Sequence, residues 1–143
     1  MPTYTYPILQ NKYYSAASVF KPENLLREAR RQLNIQECPV PDVCVLDPDG
    51  DLANYLLQQN LAKKNECWAC YHSTLYSFAL HGREVGIIPC IVGASYAVLV
   101  AEQLFVSGCS FLISVTSAGI LHPPDESKRF ALITEATRDE GTS

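Results

Sequence analysis

From Val43 to Thr116 the chain alternates short β-rich apolar runs with stretches of helical spacing, and this alternation confines it to a layered α/β architecture. PDVCVLDPDGDL holds one run, Val43 to Leu46, that ends in a turn cluster of Asp, Pro and Gly. GDLANYLLQQNLAKK follows with apolar residues at 52, 55, 56 and then 61 or 62, and closes on lysines that suit a helix C-terminus. STLYSFALHGREVGIIPCIV gives two further runs around His81-Gly82-Arg83, the pattern of a hairpin. A loop with Gly93 and Ser95 opens the helical stretch YAVLVAEQLFVS, closed by Gly108, and FLISV then reads as a buried strand. Upstream, SVFKPENLLREARRQL places apolar residues at 25, 26, 29 and 33 with Pro22 near the first turn, which predicts an amphipathic helix covering one face of the sheet. ECWACYH reads as a buried strand segment and FALITEA as a further strand. The expected fold is a single α/β domain over residues 1–143, in three layers, with a central mixed, largely parallel sheet flanked by helices.

Composition sets limits on partners. The chain has 143 residues, 48% of them hydrophobic, so it can bury one core. A net charge of −4 argues against a nucleic-acid surface, which needs clustered Lys and Arg in excess of the acids. The one dense basic run, Arg27 to Arg31, reads as a solvated helix face. No apolar run is long enough to span a bilayer, no membrane partner is expected, and the expected compartment is the cytoplasm. The cysteines at 38, 44, 67, 70, 90 and 109 sit mostly in apolar runs and read as reduced, small hydrophobes. Cys67-x-x-Cys70 followed by His72 is the pattern of a redox pair or half a metal site, but no second pair accompanies it, and no metal site is assigned. The tyrosines at 4, 6, 13 and 14 read as an arm packing on another subunit.

In sheets of this kind ligands collect beyond the carboxyl ends of the strands. Three loops qualify: Asp47 to Asp51, Val92 to Ser95, and Thr116 to Gly119. Small residues, hydroxyls and backbone amides dominate them, and a glycine and a hydroxyl just ahead of a helix aim free amides at a negative group. This chemistry suits a sugar or an anion.

VGAS ahead of AVLVAEQL, FLISVTSAGIL after GCS, and the terminal ALITEATRDEGTS together resemble the N-terminal half of the nucleoside phosphorylase family, which contains purine nucleoside and uridine phosphorylases. The likeness runs from about Val43 to the last residue, and DPDGDL stands where that family has a phosphate loop of the form Gly-Asp-Pro-x-Arg. It implies attack by inorganic phosphate, a co-substrate, on C1 of a ribose while a purine or pyrimidine base leaves through an oxocarbenium-like transition state. It further implies a nucleoside or nucleobase as small-molecule partner, no other cofactor, and a homo-oligomer (dimer, trimer or hexamer). By resemblance Ser117 contacts phosphate and ribose, Thr116 and Gly119 shape its turn, Gly93 and Ser95 approach the same ligand, and Asp47, Arg138 and Asp139 stand at the substrate rim.

The departures carry as much meaning. Asp47-Pro48 is followed by Asp49-Gly50 where the family has an arginine, and Ser114 stands where it has a second one. Arg138, Arg83 or a partner subunit would have to substitute, or the nucleophile is water, as in the family's nucleosidase branch. Family subunits are longer, and their base-recognition residues and leaving-group acid lie in the C-terminal half. The chain is therefore expected to be the N-terminal part of a longer phosphorylase-like domain, with its catalytic residues unassigned. Two other classes fit the sequence: a noncatalytic nucleoside-binding or oligomerisation domain, and a thiol redox or metal protein using Cys67 and Cys70.

Overall fold

The structure is a computed structural model and describes residues 10–11, 13, 15–119, 121 and 130–137. Among these the elements run α1 (Pro22–Leu33), β1 (Val43–Asp47), α2 (Asp51–Gln58), β2 (Ala62–Lys64), β3 (Tyr76–Leu80), β4 (Arg83–Pro89), α3 (Ala94–Val106) and β5 (Phe111–Ser114). The strands form one open sheet in the order β2-β3-β4-β1-β5. β4, β1 and β5 run parallel, with Leu46 level with Ile88 on one side and Ser114 on the other. The β2–β3 and β3–β4 pairs are antiparallel.

The expected mixed sheet is present, with its parallel character confined to three strands. The cause is local. Only His81 and Gly82, both at positive φ (49° and 76°), join β3 to β4, and a two-residue turn of that hand closes an antiparallel hairpin. β4 and β5 are joined through α3, which gives the chain the length a parallel return needs.

Alternate residues of the parallel strands serve opposite faces. Cys44, Leu46 and Ile88 meet Val100 and Leu104 of α3 in a buried cluster completed by Trp68 and Leu75. Val45, Val85 and Ile87 turn the other way, to Ala53 and Leu56 of α2. Helices on both faces make three layers. α1 packs beside α3 and closes Leu26 and Ala29 over Ala69. Pro22 opens it at the first turn, and Asn34, left-handed at φ 55°, ends it.

Several expectations change. α2 stops at Gln58 because Asn60 adopts a left-handed conformation and the Leu61 amide closes back on the carbonyl of Leu56. Lys63 and Lys64 therefore lie in β2, not at a helix end. The buried face of α2 is Ala53 and Leu56, with Leu52 and Tyr55 exposed. In the basic run Arg27 and Arg31 are solvated, but the Arg30 side chain is only 13% exposed and its Nε is buried without a hydrogen-bond partner. The FLISV strand is the sheet's outer edge, with Phe111, Ile113 and Val115 exposed. Residues 130–136, read as a strand, contain none and leave Phe130 and Leu132 exposed. Tyr13 is exposed, and Tyr4, Tyr6 and Tyr14 lie outside the described residues.

The cysteines also depart from the expectation. Cys38 and Cys67 form a disulfide, and Cys90 is exposed. Cys44, Cys70 and Cys109 are the buried free thiols among the described residues. Burial, reinforced by neighbouring Cys109, pushes the Cys44 thiol well above its usual range and keeps it protonated. ECWACYH is an irregular segment that buries Trp68, Ala69 and Cys70 while the disulfide ties it to the chain that follows α1.

Gly86 is where β4 admits that packing. A Cβ there would stand 2.6 Å from Cys44 Sγ and 3.0 Å from Leu75 Cδ1. Gly86→Ala is expected to lower unfolding stability by about 1–3 kcal/mol. Cys44→Ala in the same chain should restore part of the loss, which a double-mutant cycle of urea midpoints measures.

Candidate functional site at the carboxyl ends of β1, β4 and β5

β1 is the middle parallel strand, and its last residue organises both neighbours. Asp47 is 3% exposed. Its carboxylate accepts the Ala53 amide at 2.8 Å and the Gly50 amide at 3.2 Å, while its carbonyl accepts the Cys90 amide at 2.8 Å. Gly50, the residue that starts α2, has no side chain to cap the helix, so Asp47 does it from three residues upstream. A Cβ on Gly50 would meet Cys90 Sγ at 3.0 Å, so the β1 and β4 loops lie in contact. Asp47, expected at the substrate rim, thus spends both carboxylate oxygens on backbone amides.

The β4 loop turns at Cys90, with φ at 60°, and again at Gly93, with φ at 98°, a value side chains on L-residues rarely tolerate. Gly93 starts α3, whose first turn carries the exposed Ser95 and neither a side-chain cap nor an acidic residue. The amides of that turn have no side-chain cap, and the Ser95 hydroxyl is exposed.

On the other side of β1, the Val115 amide donates to the Leu46 carbonyl at 2.9 Å and carries the parallel pairing one residue beyond β5. Thr116 and Ser117 then meet the β1 loop. The Ser117 amide donates to Asp49 Oδ2 at 2.7 Å, and Thr116 Oγ1 approaches the same oxygen at 3.5 Å. Gly119 lies exposed beyond this turn. So Thr116 and Ser117 are joined through Asp49, and Gly93 and Ser95 follow β4, the strand on the opposite side of β1. Arg138 and Asp139 lie outside the described residues. Arg83 does not serve as a substitute arginine: it begins β4, and the strand's seven residues put it about 20 Å from the loop end.

No family model, curated protein or solved structure matches the chain. The residues themselves therefore carry the chemical argument.

Sequence reasoning missed Asp49 as a partner of Ser117, because 68 residues separate them and only the β1–β5 pairing brings them together. It also missed a groove of about 620 Å³ on the β4 side, walled by Trp68, Cys70, His72, Cys90 and Tyr96. There the Tyr96 hydroxyl donates to the His72 carbonyl at 2.7 Å, and Trp68 Nε1 donates to Ser73 Oγ. Burial, with the Cys70 thiol nearby, raises the Tyr96 hydroxyl above its ordinary pKa. Cys67 is bonded to Cys38, so Cys67 and Cys70 do not form a dithiol pair here. Among the described residues no three His, Cys, Asp or Glu side chains are placed to hold a metal ion, and no helix is long and apolar enough to cross a membrane. A second groove, about 590 Å³ along α1, contains none of the expected site residues.

Proposed function

We propose that the protein binds a purine or pyrimidine nucleoside at the carboxyl ends of β1, β4 and β5 and cleaves its N-glycosidic bond, as a pentosyltransferase or a nucleosidase. The observation that carries this reading is the turn at Thr116 and Ser117, which leaves a parallel strand end with its hydroxyls exposed and its Ser117 amide set against an anionic oxygen, that of the chain's own Asp49, at 2.7 Å. A donor fixed in that way is what a ribosyl or phosphoryl oxygen requires. Gly93, Ser95 and the open first turn of α3 supply further donors across β1. In this reading Thr116 and Ser117 hold the sugar, Gly93 and Ser95 line its other side, and Gly119 lets the turn approach it. Asp47 is a scaffold for the loop.

A homo-oligomer and a cytoplasmic setting belong to the same proposal. The Cys38–Cys67 disulfide pulls against the second, because cytosolic thiols are ordinarily kept reduced. A noncatalytic nucleoside-binding or oligomerisation domain is the second reading, favoured by the exposed apolar residues of β5 and of 130–133.

The test is release of free base from a panel of purine and pyrimidine nucleosides, with and without phosphate, by the 143-residue chain and by the longest chain its gene encodes. Release of base from at least one nucleoside is expected. Binding of nucleoside without release by either folded form would replace cleavage with the second reading.

A further inference from the structure

We propose that Asp49 occupies the anion position of this site and excludes inorganic phosphate from it, so that water is the nucleophile. The inference rests on the nucleoside-cleaving reading above and specifies its co-substrate.

Three amides that the two loops on this side present, those of Ser117, Gly50 and Ala53, are already held by carboxylates of the chain. Ser117 N donates to Asp49 Oδ2 at 2.7 Å. Gly50 N and Ala53 N donate to Asp47, at 3.2 and 2.8 Å. The Thr116 hydroxyl also faces Asp49. Among the described residues none of Asp47, Asp49 and Asp51 is ion-paired. A dianion placed at Ser117 would have to displace Asp49 and sit beside its negative charge, at a cost of several-fold to many-fold in affinity. A neutral water meets no such penalty. It can hydrogen-bond to Asp49 Oδ1, which has no hydrogen-bond partner among the described residues.

The reaction then balances as a hydrolysis. The C1–N bond breaks and its electron pair stays with the base nitrogen, which takes up a proton from solvent. A C1–O bond forms to the water, whose surplus proton is lost to solvent beside the exposed carboxylate of Asp49. Free base and free pentose result.

The experiment compares the full chain with Asp49→Ala and Asp49→Asn, titrating inorganic phosphate at constant ionic strength while following the Ser117 amide resonance. Asp49 is exposed, and the near-isosteric Asn variant guards against any folding effect of Ala. Both variants should bind phosphate at least about tenfold more tightly than the parent, with the Ser117 amide shifting as it binds. Equal phosphate affinity in all three chains would overturn the inference. So would base release by the parent chain that accelerates with phosphate. The two levels of the reading fail separately: base release absent from every chain, alongside a tenfold gain in phosphate affinity, sinks the cleavage proposal and leaves the exclusion by Asp49 standing.

Discussion

Breaking the Cys38–Cys67 disulfide is expected to cost about 3–4 kcal/mol of unfolding stability, since it closes a loop spanning 29 residues of sequence separation. The loop contains β1, α2 and β2, so the unfolded chain gains the most freedom just where the sheet is assembled. Cys38→Ser and Cys67→Ser should each lower the denaturant midpoint by the same amount, and the double variant by no more than either, because one lost sulfur already opens the loop. Reductant should move the parent midpoint to that of the variants and leave theirs unchanged. A parent protein indifferent to reductant, with variants as stable as it is, would show that the bond does not constrain the chain.

Asp47→Ala is the second large effect. It leaves the buried Ala53 amide without its charged acceptor and the Gly50 amide with only the Asp47 carbonyl at 3.1 Å, and it removes the cap of α2, a loss of about 1–3 kcal/mol. Asp47→Asn keeps an oxygen for Ala53 and should lose markedly less. The Cys90 amide should remain protected from hydrogen exchange in both, because its acceptor is the Asp47 carbonyl rather than the side chain. Urea unfolding of the two variants separates a structural carboxylate from one free to meet substrate. Stability unchanged in Asp47→Ala would return Asp47 to the substrate rim.

Where structure followed from short-range signals, the sequence was a good guide. Pro22 and the apolar spacing around it marked α1. His81-Gly82 marked the β3–β4 turn, and Gly108 the end of α3, because each rests on backbone dihedrals that few residues tolerate. Where the outcome depended on a distant partner, the sequence was silent. FLISV has the composition of a buried strand, but burial needs neighbours on both sides, and β5 has only β1. FALITEA alternates as a strand does, yet no described residue pairs with it. The lysines after α2 suited a helix end until Asn60 turned the chain and β3 offered an edge.

The candidate site divides in the same way. Gly93, Thr116 and Ser117 are visible as small residues after strands, since a strand end followed by glycine and hydroxyls is a local pattern. That Asp47 faces inward while Asp49 faces Ser117 is not local: the two are separated by one residue and serve opposite sides of the loop. The cysteine spacing likewise drew attention to Cys67 and Cys70, whereas the bonded partner, Cys38, comes from the far end of the chain that follows α1.

The most direct test of the account is a titration of the folded chain with a purine and a pyrimidine nucleoside, followed by amide resonances across the whole protein. The account predicts saturable shifts concentrated at Gly93, Ser95, Thr116, Ser117 and Gly119, and weakened when Ser117 is replaced by proline, which removes its hydroxyl and the amide bond to Asp49 that fixes the turn. Shifts confined to the groove of Trp68 and Tyr96 or to that along α1, or no shift with any nucleoside, would contradict it.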